Sequence, residues 1–486
     1  MTKQLNTPAR ILLGAFLVTL TSAMTACSKR TDTRRIDVRP TPEPMALVGA
    51  TLINPESLPV PDAVVVIRDG RIACAGPRDS CGIPADARVV DVRGKYIGAG
   101  LVDAHLHYSW TGWVDSRPDM IDVRDRFPHD SVIRALENAP ERIERALLCA
   151  GVTSVFDAGG YAWTVALNES RESSIPAPRM IGAGVILTTR EGRLDQFLNP
   201  APHSMILVLR DEAGTRAAAR ASIAMGARAI KIGYLSAADS SRALPLLAAA
   251  ADEARTAGVP LVAHVQHLAG MKHLLRAGAR VLVHVVAPQS LDEEAIALLR
   301  SSGAIVVPTL TVFEGIADLI TGRAPERYPL DCVDPGIRAR LEAPLPENLR
   351  QPLFRQVPSL ESLVSAGAQN VTRLRAAGIP MAVGTDAGNP GTVHGPSLYR
   401  EMELLHAAGL SAREVFTAAT LGGARVLGRE HELGSVAAGK LADLVVFDAD
   451  PTADVRNVQR IRWVVKAGAL YARSALLPTS EDPTAK

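Results

Sequence analysis

The sequence predicts an α/β fold: a (β/α)8 TIM barrel with a small β-sandwich domain formed from both terminal segments. Three observations predict it. Eight apolar strand candidates, at 98–107, 152–157, 179–187, 228–234, 260–266, 281–286, 304–310 and 379–385, alternate with Ala/Leu/Arg-rich helical stretches. Glycine follows several of those stretches (Gly226, Gly258, Gly278, Gly378), where a left-handed helix cap belongs. Short β runs broken by turns fill both ends of the chain. Strand–helix alternation on this scale argues for a parallel barrel. A doubly wound open sheet is the alternative, but it would not bring strands one, four, five, six and eight round a single axis.

The N-terminal elements come first. Lys3 and Arg10 precede the apolar stretch ILLGAFLVTLTSAM, and small residues then lead to Cys27. This reads as a secretory signal over residues 1–26, its apolar part short for a spanning helix. Met24-Thr25-Ala26-Cys27 resembles a bacterial lipobox, with Met24 where a branched residue is usual. Cys27 is therefore expected to be lipidated; simple cleavage near Ala26 with an unmodified Cys27 is the other reading. Residues 28–44 are polar, Arg-rich and Pro-rich and read as a tether. The mature chain would sit on the periplasmic side of a bacterial membrane, or be secreted. Lipid would be its only membrane contact.

Residues 45–97 form the first β-rich part, with Asp69-Gly70 as a hairpin signal. The barrel follows over 98–430. Residues 431–473 resume the β texture, in GKLADLVVFDAD and IRWVVKAGALYA, and 474–486 are a tail. Export implies an oxidising compartment. Cys74 and Cys81 flank a Gly-Pro turn and could pair across a hairpin; buried free thiols are the alternative.

Composition excludes some functions. Hydrophobic residues make up 47% and charged residues 21% of the 486, so a large core is available. A net charge of +2 and 4% aromatics give neither the basic field nor the stacking surface of a nucleic-acid binder. A small-molecule substrate fits better, and a homo-oligomer is compatible.

Six residues at the C-terminal ends of strand candidates carry the chemistry: His105, His107, Lys231, His264, His284 and Asp386. In a barrel that is where active sites are built. His105 and His107 share a face by the period of two, so both can bind one ion. Neutral imidazole suits zinc or a similar divalent metal. His264 and His284 are one strand–helix repeat apart and suit a second metal. Lys231, between apolar residues, is costly to bury as an ammonium. It reads either as half of a buried ion pair or as a neutral amine carboxylated by CO2 to a metal-bridging carbamate. Asp386 can ligate a metal and move a proton. Two ions would acidify water toward roughly pKa 7, supplying hydroxide at neutral pH, and Asp386 would pass its proton to a leaving nitrogen. A capping aspartate at a turn is the plainer reading.

These motifs resemble the amidohydrolase superfamily. GLVDAHLH, the lysine of AIKI, LVAHVQH, LVHVV, GTDAG and GSVAAGKLADLVVFDADP carry the resemblance. Within it the chain is similar to the imidazolonepropionase-like and prolidase-like (Xaa-dipeptidase-type) group. The resemblance implies that His105, His107 and Asp386 hold one metal, that His264 and His284 hold the other, and that carboxylated Lys231 and a hydroxide bridge them. The deaminase branch carries a glutamate shortly after the third histidine; HVQHLAG has none. LTTREGRLDQF stands where related dipeptidases often have Gly-His-Gly, and AHVQH stands where AHAHG is usual; these departures leave the metal ligands intact and the substrate open.

Trp110, Arg190, Tyr234 and His394 follow strand ends and are candidates for contact with substrate, His394 also for catalysis at the leaving group. The expected activity is hydrolysis of an amide C–N bond in a dipeptide or N-acyl amino acid. The alternatives are a hydrolase of a cyclic amide, carbamate or ester, and a catalytically silent surface-binding lipoprotein.

Overall fold

A computed structural model describes residues 43–478, apart from 173–175, 191, 193–195, 200–203, 234–239 and 266. The signal peptide, Cys27, nearly all of the tether, Tyr234 and the end of the tail lie outside the described residues.

The two chain ends meet in one eight-stranded sheet. The strands are β1 (Met45–Leu52), β2 (Val60–Arg68), β3 (Arg71–Pro77), β4 (Arg88–Asp91), β5 (Tyr96–Ala99), β15 (Leu444–Phe447), β16 (Ile461–Lys466) and β17 (Ala469–Ala472). Their order is β17-β16-β15-β5-β1-β2-β3, with β4 on β1. The β5–β15 ladder, Tyr96 to Ala99 against Phe447 to Leu444, joins the N-terminal to the C-terminal strands. Asp69 and Gly70 both have positive φ at the β2–β3 turn, as the Asp-Gly signal requires. One apolar cluster gathers Leu47, Val65, Ile97, Leu444 and Val465. A second, on Ala46, Val48, Val64 and Val66, packs against Cys74 and Cys81.

Between the ends, nine parallel strands run among the described residues: β6 (Leu101–Leu106), β7 (Val152–Asp157), β8 (Arg179–Gly182), β9 (Ile186–Thr188), β10 (Ile206–Val208), β11 (Ile230–Ile232), β12 (Leu261–His264), β13 (Val281–Val283) and β14 (Ile305–Val307). β6-β7-β8 form one parallel sheet and β10-β9-β11-β12-β13-β14 another. The arrangement is α/β with parallel sheets, as in a TIM barrel. Apart from β10, where Leu207 is exposed, these strands are largely buried, so they read as apolar runs rather than alternating ones.

Two strands depart from expectation. The predicted strand 179–187 is broken into β8 and β9 at Gly184, whose φ is +69°. A Cβ there would stand 2.8 Å from Val165, so the chain bends against the helix Trp163–Ser170. The predicted strand 379–385 forms no continuous ladder. It bridges β14 at Val306–Met381 and meets β6 at Leu106–Ala387. Pro380 has no N–H to give, and Asp386 turns left-handed at φ +58°. β10, from MILVLR, is an edge strand the sequence reading missed.

The helices follow their signals. Asp211 caps Glu212–Ala224 by accepting from Gly214 N at 2.7 Å. Gly278 ends Leu268–Ala277 at φ +104°. Two helices follow β6, α1 (His129–Asn138) and α2 (Glu141–Cys149), and α2 packs against β7. Cys74 and Cys81 are disulfide-bonded, as one reading had it. Cys149 is bonded to Cys332, a pairing across 183 residues that sequence spacing gave no reason to expect.

Candidate metal centre

Asp103, His105 and His107 fall on one face of β6 and its continuation. Asp103 is the anchor of this strand end. Its carboxylate accepts from Thr385 Oγ1 at 2.7 Å, from Thr385 N at 3.1 Å and from His105 N at 3.2 Å. It thereby ties β6 to the segment carrying Asp386. Burial pushes the Asp103 carboxyl up to about 7. Gly384 permits the approach: a Cβ there would lie 2.8 Å from His105 N and 2.5 Å from Val307 Cγ1.

Asp386 is the centre of the cluster. Its Oδ1 is 3.1 Å from His105 Nε2 and 3.0 Å from His107 Nε2. Its Oδ2 is 3.7 Å from His284 Nε2. Burial alone would raise this carboxyl. The His105 and His107 rings beside it outweigh burial and hold it well below the usual carboxylate range. The carboxylate therefore faces two histidine groups, one with each oxygen. The His264 ring completes the second group, its centroid 4.4 Å from that of His284.

Hydrogen bonds behind the rings set their tautomers. His107 Nδ1 donates to Gly159 O at 2.6 Å, which leaves Nε2 with a lone pair toward the cluster. Thr309 Oγ1 donates to Pro308 O at 2.8 Å, so it accepts from His284 Nδ1 at 2.5 Å, and His284 Nε2 is likewise left free to ligate. His284, Thr309 and Asp386 all hold positive φ, at 67°, 52° and 58°. Left-handed non-glycine residues gathered at one place are backbone strain held by the surrounding fold. Glu401 supports this corner from below, accepting from Thr311 N at 2.8 Å at the start of the helix Leu310–Thr321.

Lys231 is the middle residue of β11 and is 3% exposed. Burial brings its ammonium down to about 7. No carboxylate lies within ion-pair distance among the described residues, although the charges of Asp386 and Asp157 oppose the effect of burial. Burial likewise lowers His105, His264 and His284, the last to about 4. Neutral imidazoles beside an ionised carboxylate are the donor set that zinc and similar ions take. His105, His107 and Asp386 form the group best disposed for one ion, their donor atoms within 4.8 Å of one another.

One cavity brings five of the six sequence candidates together: His105, His107, Lys231, His264 and Asp386 line it. His284 adjoins through Asp386 and His264. Trp110 also lines it, its ring centroid 4.1 Å from that of His107. Arg190 is exposed in the loop after β9, its N–H donating to Thr188 Oγ1 at 3.1 Å. His394 is not among the lining residues. It is buried, and its Nε2 donates to the carbonyl of His107 at 3.0 Å. The sequence reading missed Asp103, Thr309, Asn389 and Glu401. Asn389 lines the cavity and donates from Nδ2 to Asp386 O at 3.0 Å. For Asp103 a signal existed, since it shares the period-two face of the two histidines.

The model of the amidohydrolase family matches residues 96–470. The imidazolonepropionase of Rhizorhabdus wittichii is 26% identical over 432 residues, covering 82% of this chain and 90% of that one. Among solved structures, a Xaa-Pro dipeptidase with bound methionine in its active site superposes with a TM-score of 0.68 at 21% identity, covering 88% of this chain and all of that one. Phenylurea hydrolase B superposes with a TM-score of 0.69 at 23% identity, covering 91% and 99%. These two likenesses are of fold. With the family model covering more than three-quarters of the sequence, the chain belongs to the amidohydrolase family.

Proposed function

We propose that this protein is a binuclear metal-dependent amidohydrolase that cleaves the amide C–N bond of a dipeptide or N-acyl amino acid. Family membership makes it a hydrolase acting on carbon–nitrogen bonds; the metals, residue roles and substrate class are our reading. One observation carries it. Asp386 presents one oxygen to His105 and His107 and the other to His284, with the buried amine of Lys231 in the same cavity. In this reading His105, His107 and Asp386 would hold one divalent ion and His264 and His284 the other, and Lys231, carboxylated by CO2, would serve both. Bound metals would polarise the scissile carbonyl and bring water toward a pKa of about 7.

The chain's own groups do the rest. Asp386 accepts a proton from the attacking water and returns it to the leaving nitrogen. Gly159 O and Thr309 keep His107 and His284 in the ligating tautomer. Trp110, its ring tilted beside that of His107, offers an apolar wall to substrate. His394 acts on the site through the His107 carbonyl. Arg190 and Tyr234 are further candidates for substrate contact.

We read the bridges of 381–387 to β14 and β6 as closing an eight-stranded barrel over 98–430, with the terminal sheet folded as a sandwich. Two disulfides support an exported chain, with residues 1–26 as signal, Cys27 as lipid anchor and 28–44 as tether. A panel of dipeptides, N-acyl amino acids, cyclic amides, carbamates and esters, assayed with zinc-loaded protein, tests the substrate class. Turnover confined to the cyclic amides, carbamates or esters would favour the second reading.

A further inference from the structure

A larger cavity lies apart from the metal ligands. It measures about 380 Å³, within the range of small-molecule sites. It opens between α1, α2 and the helix Pro335–Glu342, with apolar walls that include Val132, Leu136, Ile143 and Ile337. None of the six candidate metal ligands lines it. Its walls are fixed to one another. The Cys149–Cys332 disulfide joins the end of α2 to the segment before Pro335. Arg142 pairs with Asp334 at 2.6 Å, and Arg340 pairs with Asp115. A cavity held open in this way costs little ordering on binding.

Two polar groups in the lining keep spare capacity. Arg126 is exposed and forms no ion pair with any described residue, whereas the carboxylates of Asp115 and Asp334 are already neutralised. His394 is only 5% exposed. Its Nε2 donates to His107 O, so in the neutral ring Nδ1 is an acceptor, and no described residue donates to it. A ligand suited to the cavity combines an apolar body with an anionic end for Arg126 and an O–H or N–H for His394.

We propose that this cavity is a second binding site, distinct from the metal centre, for an aromatic carboxylate carrying a hydroxyl or N–H at its opposite end. A hydrogen bond from His394 to the His107 carbonyl links the site to the metal centre. The test is calorimetric titration of para-hydroxyphenylpropanoate into the zinc-loaded full chain, with no reference to amide hydrolysis. One site per chain is expected. Arg126→Ala should weaken it at least about tenfold, the scale of a lost charge-assisted hydrogen bond. Phenylpropanoate, lacking the hydroxyl, should bind several-fold more weakly than the hydroxylated probe. Ala135 is exposed on α1 at the cavity wall, so Ala135→Trp can fill the cavity without entering the core and should abolish binding. Absence of binding to the wild type, or affinities unchanged in Arg126→Ala or in Ala135→Trp, would overturn the proposal.

Discussion

At the scale of single residues, the account rests on Asp386 and Lys231. Asp386→Asn preserves size and one ligating oxygen but removes the basic site. Turnover should fall by at least about a hundredfold, the lower range for general acid–base catalysis, with metal content falling less. Steady-state kinetics beside metal analysis would show this, and near-normal turnover would remove the proton shuttle. Lys231 predicts a pH dependence of the metal-free protein. Its folded pKa is about 7 and its ordinary value 10.5. Between these the unfolded chain binds the proton more tightly, so stability rises with pH across that window. Below about 7 the cost of burying the ammonium is fully present; above 10.5 it is gone. Urea unfolding of the metal-free protein between pH 7 and 9 should therefore show a rising midpoint, with a flatter rise in Lys231→Met. Equal slopes in the two proteins would mean that Lys231 is not the buried cation described.

At the scale of elements, the clustering of the candidate ligands was legible because they end apolar runs, and strand ends are where a parallel α/β fold gathers its chemistry. What the sequence hid is what tertiary contact decides. Gly184 breaks a run that reads as one strand, because the backbone bends against the Trp163–Ser170 helix. Residues 379–385 look like a strand but hold only bridges, since Pro380 and the left-handed Asp386 interrupt the ladder. Thr309 and Glu401 do their work through partners 25 and 90 positions away in the chain, which no local pattern shows. His394 lies in the loop after Asp386, as the sequence suggested, yet it turns toward the other cavity. Gly384 tests the packing of strand ends. Gly384→Ala would drive a methyl into Val307 and His105. A loss of about 1–3 kcal/mol is expected, as for overpacking, together with weaker metal retention. Denaturant midpoints and metal content check it; a variant as stable and as metal-rich as the parent would contradict the described approach of β6 to residue 384.

At the scale of the whole molecule, both β-rich ends of the described chain join in one sheet, and the parallel strands lie between them in sequence. This was legible from the matching β texture of 45–97 and 431–473. The Cys149–Cys332 bond was not, because the two cysteines are 183 residues apart and meet only when α2 packs against the segment before Pro335. Cys27→Ser should shift the protein from the membrane fraction to the soluble periplasmic or extracellular fraction; a wild type already soluble there would favour simple cleavage. The central claim is the pair of metals set around Asp386. Protein produced with zinc and bicarbonate, purified and dialysed, should carry about two ions per chain by elemental analysis, and the Lys231→Ala variant should carry one or none. A stoichiometry of one or less in the wild type after full loading, or two in Lys231→Ala, would contradict the binuclear, lysine-bridged site.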